Sequence, residues 1–153
     1  MKADLLLPAR LSPARLENMR RAGAEIRECY RVLEKGGLNV VGEMLRGQGE
    51  FVEYEHFPRD DAFDADSQAQ YYYHAHRDAT GEHGHFHTFL RAPGMPAGMA
   101  PVPHAGAEPW PQGEEALSHL VAIAMDDYGY PTGLFTVNRW VTGDAWYAAD
   151  DVI

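Results

Sequence analysis

Two short runs of alternating histidines stand out in the middle of the chain, His74-Ala75-His76 and His83-Gly84-His85-Phe86-His87. Residues two apart on a β-strand share a face, so each run presents its imidazoles on one side. Imidazole suits Zn, Cu, Fe and Ni, whereas Mg and Ca prefer oxygen donors. The chemistry to expect is therefore binding of a divalent transition metal. With one coordination position left open, such an ion supports a non-haem oxygenase or a hydrolase acting on a small-molecule substrate. A fully protein-ligated ion would instead suit sensing, buffering or delivery. Histidines without any metal could serve a hydrolase or transferase as nucleophile or acid/base.

Hairpin geometry decides whether the two runs meet. Segments Gln70–Arg77 and Glu82–Arg91 have strand character and flank Asp78-Ala79-Thr80-Gly81, which has the composition of a tight turn. With that tetrad as the loop, His76 opposes His83, His74 opposes His85, Tyr72 opposes His87, and Arg77 can pair with Glu82. All five histidines then share one face, and Tyr73, Phe86, Tyr71 and Thr88 share the other, read as the core face. Opposed side chains lie roughly 4.5–5.5 Å apart at Cβ, close enough for imidazoles to converge on one ion. The expected metal ligands are His74, His76 and His85, around the central pair. His83, His87 and Tyr72 are expected beside them as catalytic acid/base or phenol groups. Ligands must be neutral to coordinate, so binding should weaken as pH falls through roughly 6.5. A register slip of one residue would split the histidines between faces.

Other residues weigh less. Glu53 and Glu55 could complete a histidine–carboxylate site if Glu50–Phe57 neighbours the hairpin, but a solvated face suits them better, and His56 points the other way. His119 opens an apolar strand and is either a ligand or a strand-end residue. Asp60, Asp61, Asp64 and Asp66 lack the spacing of a calcium loop and read as turn residues. Met95, Met99, His104 and Trp110 could cover a substrate or simply pack their loop.

The elements that must position this face follow from periodicity. Ser12-Pro13 reads as an N-cap with proline at the first helical position, and apolar residues recur from Leu16 to Leu33 at helical spacing until Gly36-Gly37. Cys29 falls within this helix as a small core residue. A second short helix is expected over Asn39–Leu45. Strands are expected over Glu50–Phe57, the two hairpin segments, His119–Met125 and Leu134–Val141, with a final helical turn opened by Thr142-Gly143-Asp144. Residues 92–113 hold six prolines and four glycines and cannot continue a sheet ladder. They predict a long loop near the histidine face that acts as a mobile lid. The fold class is α+β: an N-terminal helix packed on an antiparallel sheet of at least five strands, curled toward a barrel. One domain covers 1–153, helical over 12–46 and sheet over 50–142.

Composition narrows the partners. The 153 residues include 23 Asp+Glu against 13 Lys+Arg, a formal charge of −10, which repels phosphate backbones and anionic membranes. Nucleic acid and membrane are therefore excluded as expected partners. The apolar run Leu120–Met125 falls far short of the roughly 18 residues of a membrane helix. No signal-peptide pattern opens the chain, and the single cysteine permits no internal disulfide. A cytoplasmic location is expected.

Three family likenesses rest on these residues. His83-Gly84-His85-Phe86-His87-Thr88-Phe89-Leu90 superficially resembles the signature of the histidine-triad nucleotide hydrolases, which implies metal-free nucleotidyl transfer. His74-Ala75-His76 with Glu82 is similar to the first motif of cupins, which implies a metal inside a small β-barrel, although the gap to Glu82 is longer and no second motif follows. Over Gln70–Arg77, Glu82–His87 and Leu134–Gly143 the chain resembles a bacterial family catalogued as a domain of unknown function. That last likeness implies a compact module and no particular activity.

Overall fold

The computed structural model describes residues 11–76, 81–104, 106, 109–113 and 116–148. The chain divides into two compact units, Met1–Val40 and Val41–Ile153. The first is built on helix α1 (Pro13–Lys35), capped as its sequence dictates: the Ser12 hydroxyl accepts the Arg15 backbone N–H, Pro13 fills the first turn, and Gly36 closes the other end. Ion pairs Arg20–Glu17 and Arg31–Glu28 line its surface. No residue of α1 is buried, and Cys29 is exposed rather than a core residue. A short helix α2 (Val40–Leu45) follows.

The second unit is an α+β unit dominated by five antiparallel strands in sequential order: β1 (Phe57–Phe63), β2 (Ala69–His74), β3 (Gly84–Arg91), β4 (Leu117–Met125) and β5 (Pro131–Phe135). The sheet is open, not curled into a barrel, with β1 and β5 as its two edges. Each edge strand carries a proline, Pro58 or Pro131, a residue tolerated at sheet edges that blunts further pairing.

The hairpin register is the expected one: His74 pairs with His85, Tyr73 with Phe86, Tyr72 with His87 and Tyr71 with Thr88. Of the turn Asp78–Gly81 only Gly81 is described, with φ +84°, and the expected Arg77–Glu82 pair falls outside the described residues. β3 is the middle strand, paired along both edges, and its histidine face is as buried as the Tyr73–Phe86 face. The histidine face is thus part of the core, contrary to the expectation of one core face.

Three stretches depart from the sequence expectation. Glu50–Phe57 forms no strand, and β1 starts at Phe57 and runs through the polar Arg59–Phe63. An edge strand with an exposed side tolerates Arg59 and Asp60, so polarity there does not signal a loop. Phe57 opposes Tyr73 but Ala62 opposes Tyr71, so the intervening residues bulge out of the ladder. Only Asp64 and Asp66 remain in the turn, where the Asp64 carboxylate accepts the Ser67 backbone N–H at 3.0 Å and that of Asp66 at 3.4 Å. At the far end the expected strand Leu134–Val141 is replaced. The Asp126 carboxylate gathers the N–H groups of Tyr128 and Tyr130, so β5 begins early, at Pro131. Helix α3 (Arg139–Thr142) then ends at Gly143, whose φ of +67° lies in the left-handed region glycine favours. Thr142-Gly143 therefore closes a helical turn instead of opening one.

The Pro/Gly segment is tied down along its described part. After a 3-10 turn at Ala92–Gly94, Val102 N–H donates to the Trp146 carbonyl, and Trp110 Nε1 donates to the Val102 carbonyl. Arg139 lies over the Trp110 ring at 4.5 Å, and His104 is 4.6 Å away on ring centroids. Trp110 and His104 thus pack the loop.

Gly84 shows how closely the hairpin is fitted. A Cβ there would lie 2.6 Å from the Tyr73 hydroxyl and 2.7 Å from the His74 carbonyl. Tyr73 is fully buried and cannot withdraw. Gly84→Ala is expected to cost about 1–3 kcal/mol through overpacking, read as a lower urea midpoint. A variant as stable as the parent would show that β2 and β3 are more loosely fitted than these distances require.

Candidate metal centre

Three buried histidines converge where the hairpin pairs. His74 is 9 % exposed, His85 and His87 1 % each, and one ring nitrogen of each lies within 4.8 Å of the other two. Three nitrogens bound to one ion at about 2.0–2.1 Å lie roughly 3.3–3.6 Å from one another, so side-chain shifts of about an ångström would complete a shared site. His74 Nε2 and His85 Nε2 are already 2.9 Å apart. The three could hold a metal ion.

The walls are set by strand alternation. His74 and Tyr72 come from β2, His85, His87 and Phe89 from β3, and the partners of His85 and His87 on β4 are the small Ala124 and Ala122. Small residues leave room for rings on the same face. Phe135 of β5 closes the side, 5.2 Å from the His85 ring.

His85 Nδ1 is 2.7 Å from Glu82 Oε1. An ionised carboxylate only accepts, so Nδ1 carries the proton and a neutral ring offers its lone pair at Nε2. His87 Nδ1 is 2.9 Å from His119 Nε2. Burial, then the neighbouring imidazoles beginning with His85, pushes the pKa of His74 and of His87 down to about 3. Burial lowers that of His119 too, against the opposing field of Asp144. His74 and His87 are therefore neutral at physiological pH, the protonation state a metal ligand needs. Burial, aided by Asp61, pushes the Tyr72 phenol up to about 12, so it stays protonated.

The expected site residues separate into three groups. His74 and His85 form the central pair, and His87 completes the buried triad. His76 is half-buried beside it, its ring 4.7 Å from His74 and 5.0 Å from His85, with Tyr54 stacked on it at 5.6 Å. His83 is not brought to the cluster. It precedes the first residue of β3 and lies beyond the described pairing with β2, which ends at His74:His85, and its Nδ1 meets the Tyr73 hydroxyl at 2.7 Å, with Phe51 stacked at 5.4 Å. Tyr72 lies inside the cluster, 5.2 Å from His74 and 5.1 Å from His87.

Two histidines join that alternation alone did not place. His56 stacks flat on Tyr72, with centroids 3.6 Å apart, and its Nδ1 is 3.0 Å from Asp61. It leads into β1 and faces the site. His119 arrives through a bulge in β4: Thr88 opposes Val121 while Phe89 opposes His119, so Leu120 is the extra residue. That insertion turns His119 onto the histidine face. The exposed Glu53 and Glu55 take no part in the triad, and Glu55 pairs with Arg59 at 3.3 Å.

Residues 20–153 match a protein family described as a domain of unknown function (DUF6969). The chain belongs to that family. The match runs from within α1 through the entire sheet, so the residues around the triad are family territory. No curated protein and no solved structure matches the chain. The likenesses to histidine-triad hydrolases and cupins find no support among known proteins. Among the described residues no helix is long and apolar enough to cross a membrane.

Proposed function

We propose that this protein binds one transition-metal ion through His74, His85 and His87 and uses it as the centre of a metalloenzyme acting on a small molecule. The observation that carries this is a buried cluster of three imidazoles with nitrogens mutually within 4.8 Å, one of them held in its Nε2-donating tautomer by a carboxylate. Burying several neutral histidines together sacrifices solvation that an ion would replace. Three nitrogen ligands leave a tetrahedral ion one position for water or substrate, the arrangement of catalytic rather than structural zinc sites. A divalent ion there supplies Lewis acidity or a water of lowered pKa. Tyr72 and His56 are protonatable side chains beside the triad.

A second reading rests on His76. Its ring lies as close to His74 and His85 as these lie to their other neighbours, so it supports a closed four-nitrogen site suited to sensing, buffering or delivery. Metal analysis with X-ray absorption decides both questions. About one equivalent of Fe, Zn, Cu or Ni with nitrogen donors near 2.0–2.1 Å is expected. Azide perturbing the spectrum of the Co(II)-loaded protein would indicate an open position, and indifference to azide the closed site. Failure to bind these ions more tightly than a histidine-rich peptide would end both readings.

A further inference from the structure

Three neutral imidazoles bring no charge, so a divalent ion among them would be a buried cation without a counter-ion in its own shell. Two carboxylates stand near it, Glu82 one histidine away and Asp144 two. Glu82, its side chain 10 % exposed, meets His85 Nδ1 at 2.7 Å. Asp144, 3 % exposed, accepts the His119 backbone N–H on Oδ2 at 3.1 Å and the Thr142 hydroxyl on Oδ1 at 2.5 Å. His119 in turn meets His87 Nδ1 at 2.9 Å. The two acids come from opposite ends of the sheet unit, and each has a ligand ring at the end of its chain.

We infer that Glu82, through His85, and Asp144, through the His119–His87 pair, are positioning residues that neutralise the ion and hold both ligands in the tautomer offering Nε2. This deepens the metal-binding reading above and rests on it. For His85 the tautomer follows from the carboxylate alone. For His87 it depends on which ring donates. If His119 carried its proton on Nε2, His87 would accept at Nδ1 and carry its own proton on Nε2, and would have to change tautomer before that nitrogen could bind an ion. Asp144 sets the opposite order. It holds the His119 backbone N–H at 3.1 Å and its charge acts on the His119 ring, whose proton is assigned to Nδ1. His119 Nε2 is then an acceptor, His87 Nδ1 donates to it, and the His87 Nε2 lone pair faces the triad. The bulge at Leu120 makes this possible by turning His119 inward, and the Asp144–His119 backbone bond pins the bulged strand. Metal-ligating histidines generally need such an outer partner on the second nitrogen.

Two measurements test the assignment. Long-range proton–nitrogen correlation spectra of the 15N-labelled, ion-free protein read the tautomers directly, without any variant, and Nδ1–H is expected for both His85 and His87. Zn(II) titration of Glu82→Gln and Asp144→Asn is expected to show affinity lower by roughly 10–100-fold than the parent, with Asp144→Asn also moving His87 out of the Nδ1–H form. Circular dichroism confirms that each variant is folded, and if Asp144→Asn is not, the parent tautomers and Glu82→Gln still decide. An Nε2–H form at His85 or His87, or parental affinity in both variants, overturns the assignment while leaving metal binding intact. A parent protein that binds no Zn(II) overturns the metal-binding reading itself, and this assignment with it.

Discussion

His85→Ala is expected to abolish stoichiometric metal binding, whereas His83→Ala, two residues away in the same histidine run, is expected to leave it intact. His85 sits at the centre of the cluster, 2.9 Å from His74 by their Nε2 atoms and 5.0 Å from His87 by ring centroids, and its Nδ1 meets Glu82. Removing it leaves two imidazoles and a cavity between Phe135 and His74. The affinity should fall by at least about a hundredfold, beyond the 10–100-fold attached to an outer partner. His83 bonds to Tyr73 and stacks on Phe51, so its loss should be felt in stability and not in metal content. His87→Ala should resemble His85→Ala, since His87 is a member of the buried triad. Metal content by mass spectrometry, with circular dichroism to confirm folding, checks all three. Full metal content in His85→Ala, or its loss in a folded His83→Ala, would place the ion elsewhere.

The pH dependence should take a different form from ordinary imidazole titration near 6.5. In the folded protein burial holds His74 and His87 neutral down to about pH 3, while in the unfolded chain they titrate near 6.5. Above pH 6.5 neither state takes up a proton at these positions, and they make stability no steeper. Between about 6.5 and 3 the unfolded chain binds protons that the folded protein refuses. Stability of the ion-free protein should therefore fall with acidification, on the order of 1.4 kcal/mol per pH unit for each such histidine. Bound metal should consequently leave together with the fold in one acid transition. Following metal release and near-ultraviolet circular dichroism in one titration checks this, and release centred near pH 6.5 from a still-folded protein would contradict it.

The parts legible in the sequence are those governed by strict alternation inside a paired ladder. The His74:His85 register follows from a short turn and two alternating segments, and every described pair from Ala69:Leu90 to His74:His85 obeys it. Where the ladder stops or slips, alternation loses its authority. His83 lies one residue before β3 and turns to the other face, and His119 reaches the site only because Leu120 is inserted opposite β3. Nothing in the local sequence of β4 marks that bulge. His56 was misplaced because Glu50–Phe57 alternates like a strand, while the strand that forms is the polar, proline-containing Phe57–Phe63 at the sheet edge. Capping chemistry was more dependable: Ser12-Pro13 and Gly36 bound α1 as their local preferences require.

All three proposed ligands belong to a single hairpin, whereas His119 must wait for β4 to arrive across the Pro/Gly segment. Closing a loop becomes costlier with its length, and an isolated two-stranded ribbon forms in roughly 1–10 μs but is only marginally stable. The triad is therefore among the earliest tertiary arrangements this chain can sample. In a ribbon slipped by one residue, the histidines of β2 and β3 would face opposite ways and could not share an ion. An ion captured at that stage would favour the correctly paired ribbon over its misaligned competitors. It would act as a proofreader of strand pairing before it served any other purpose.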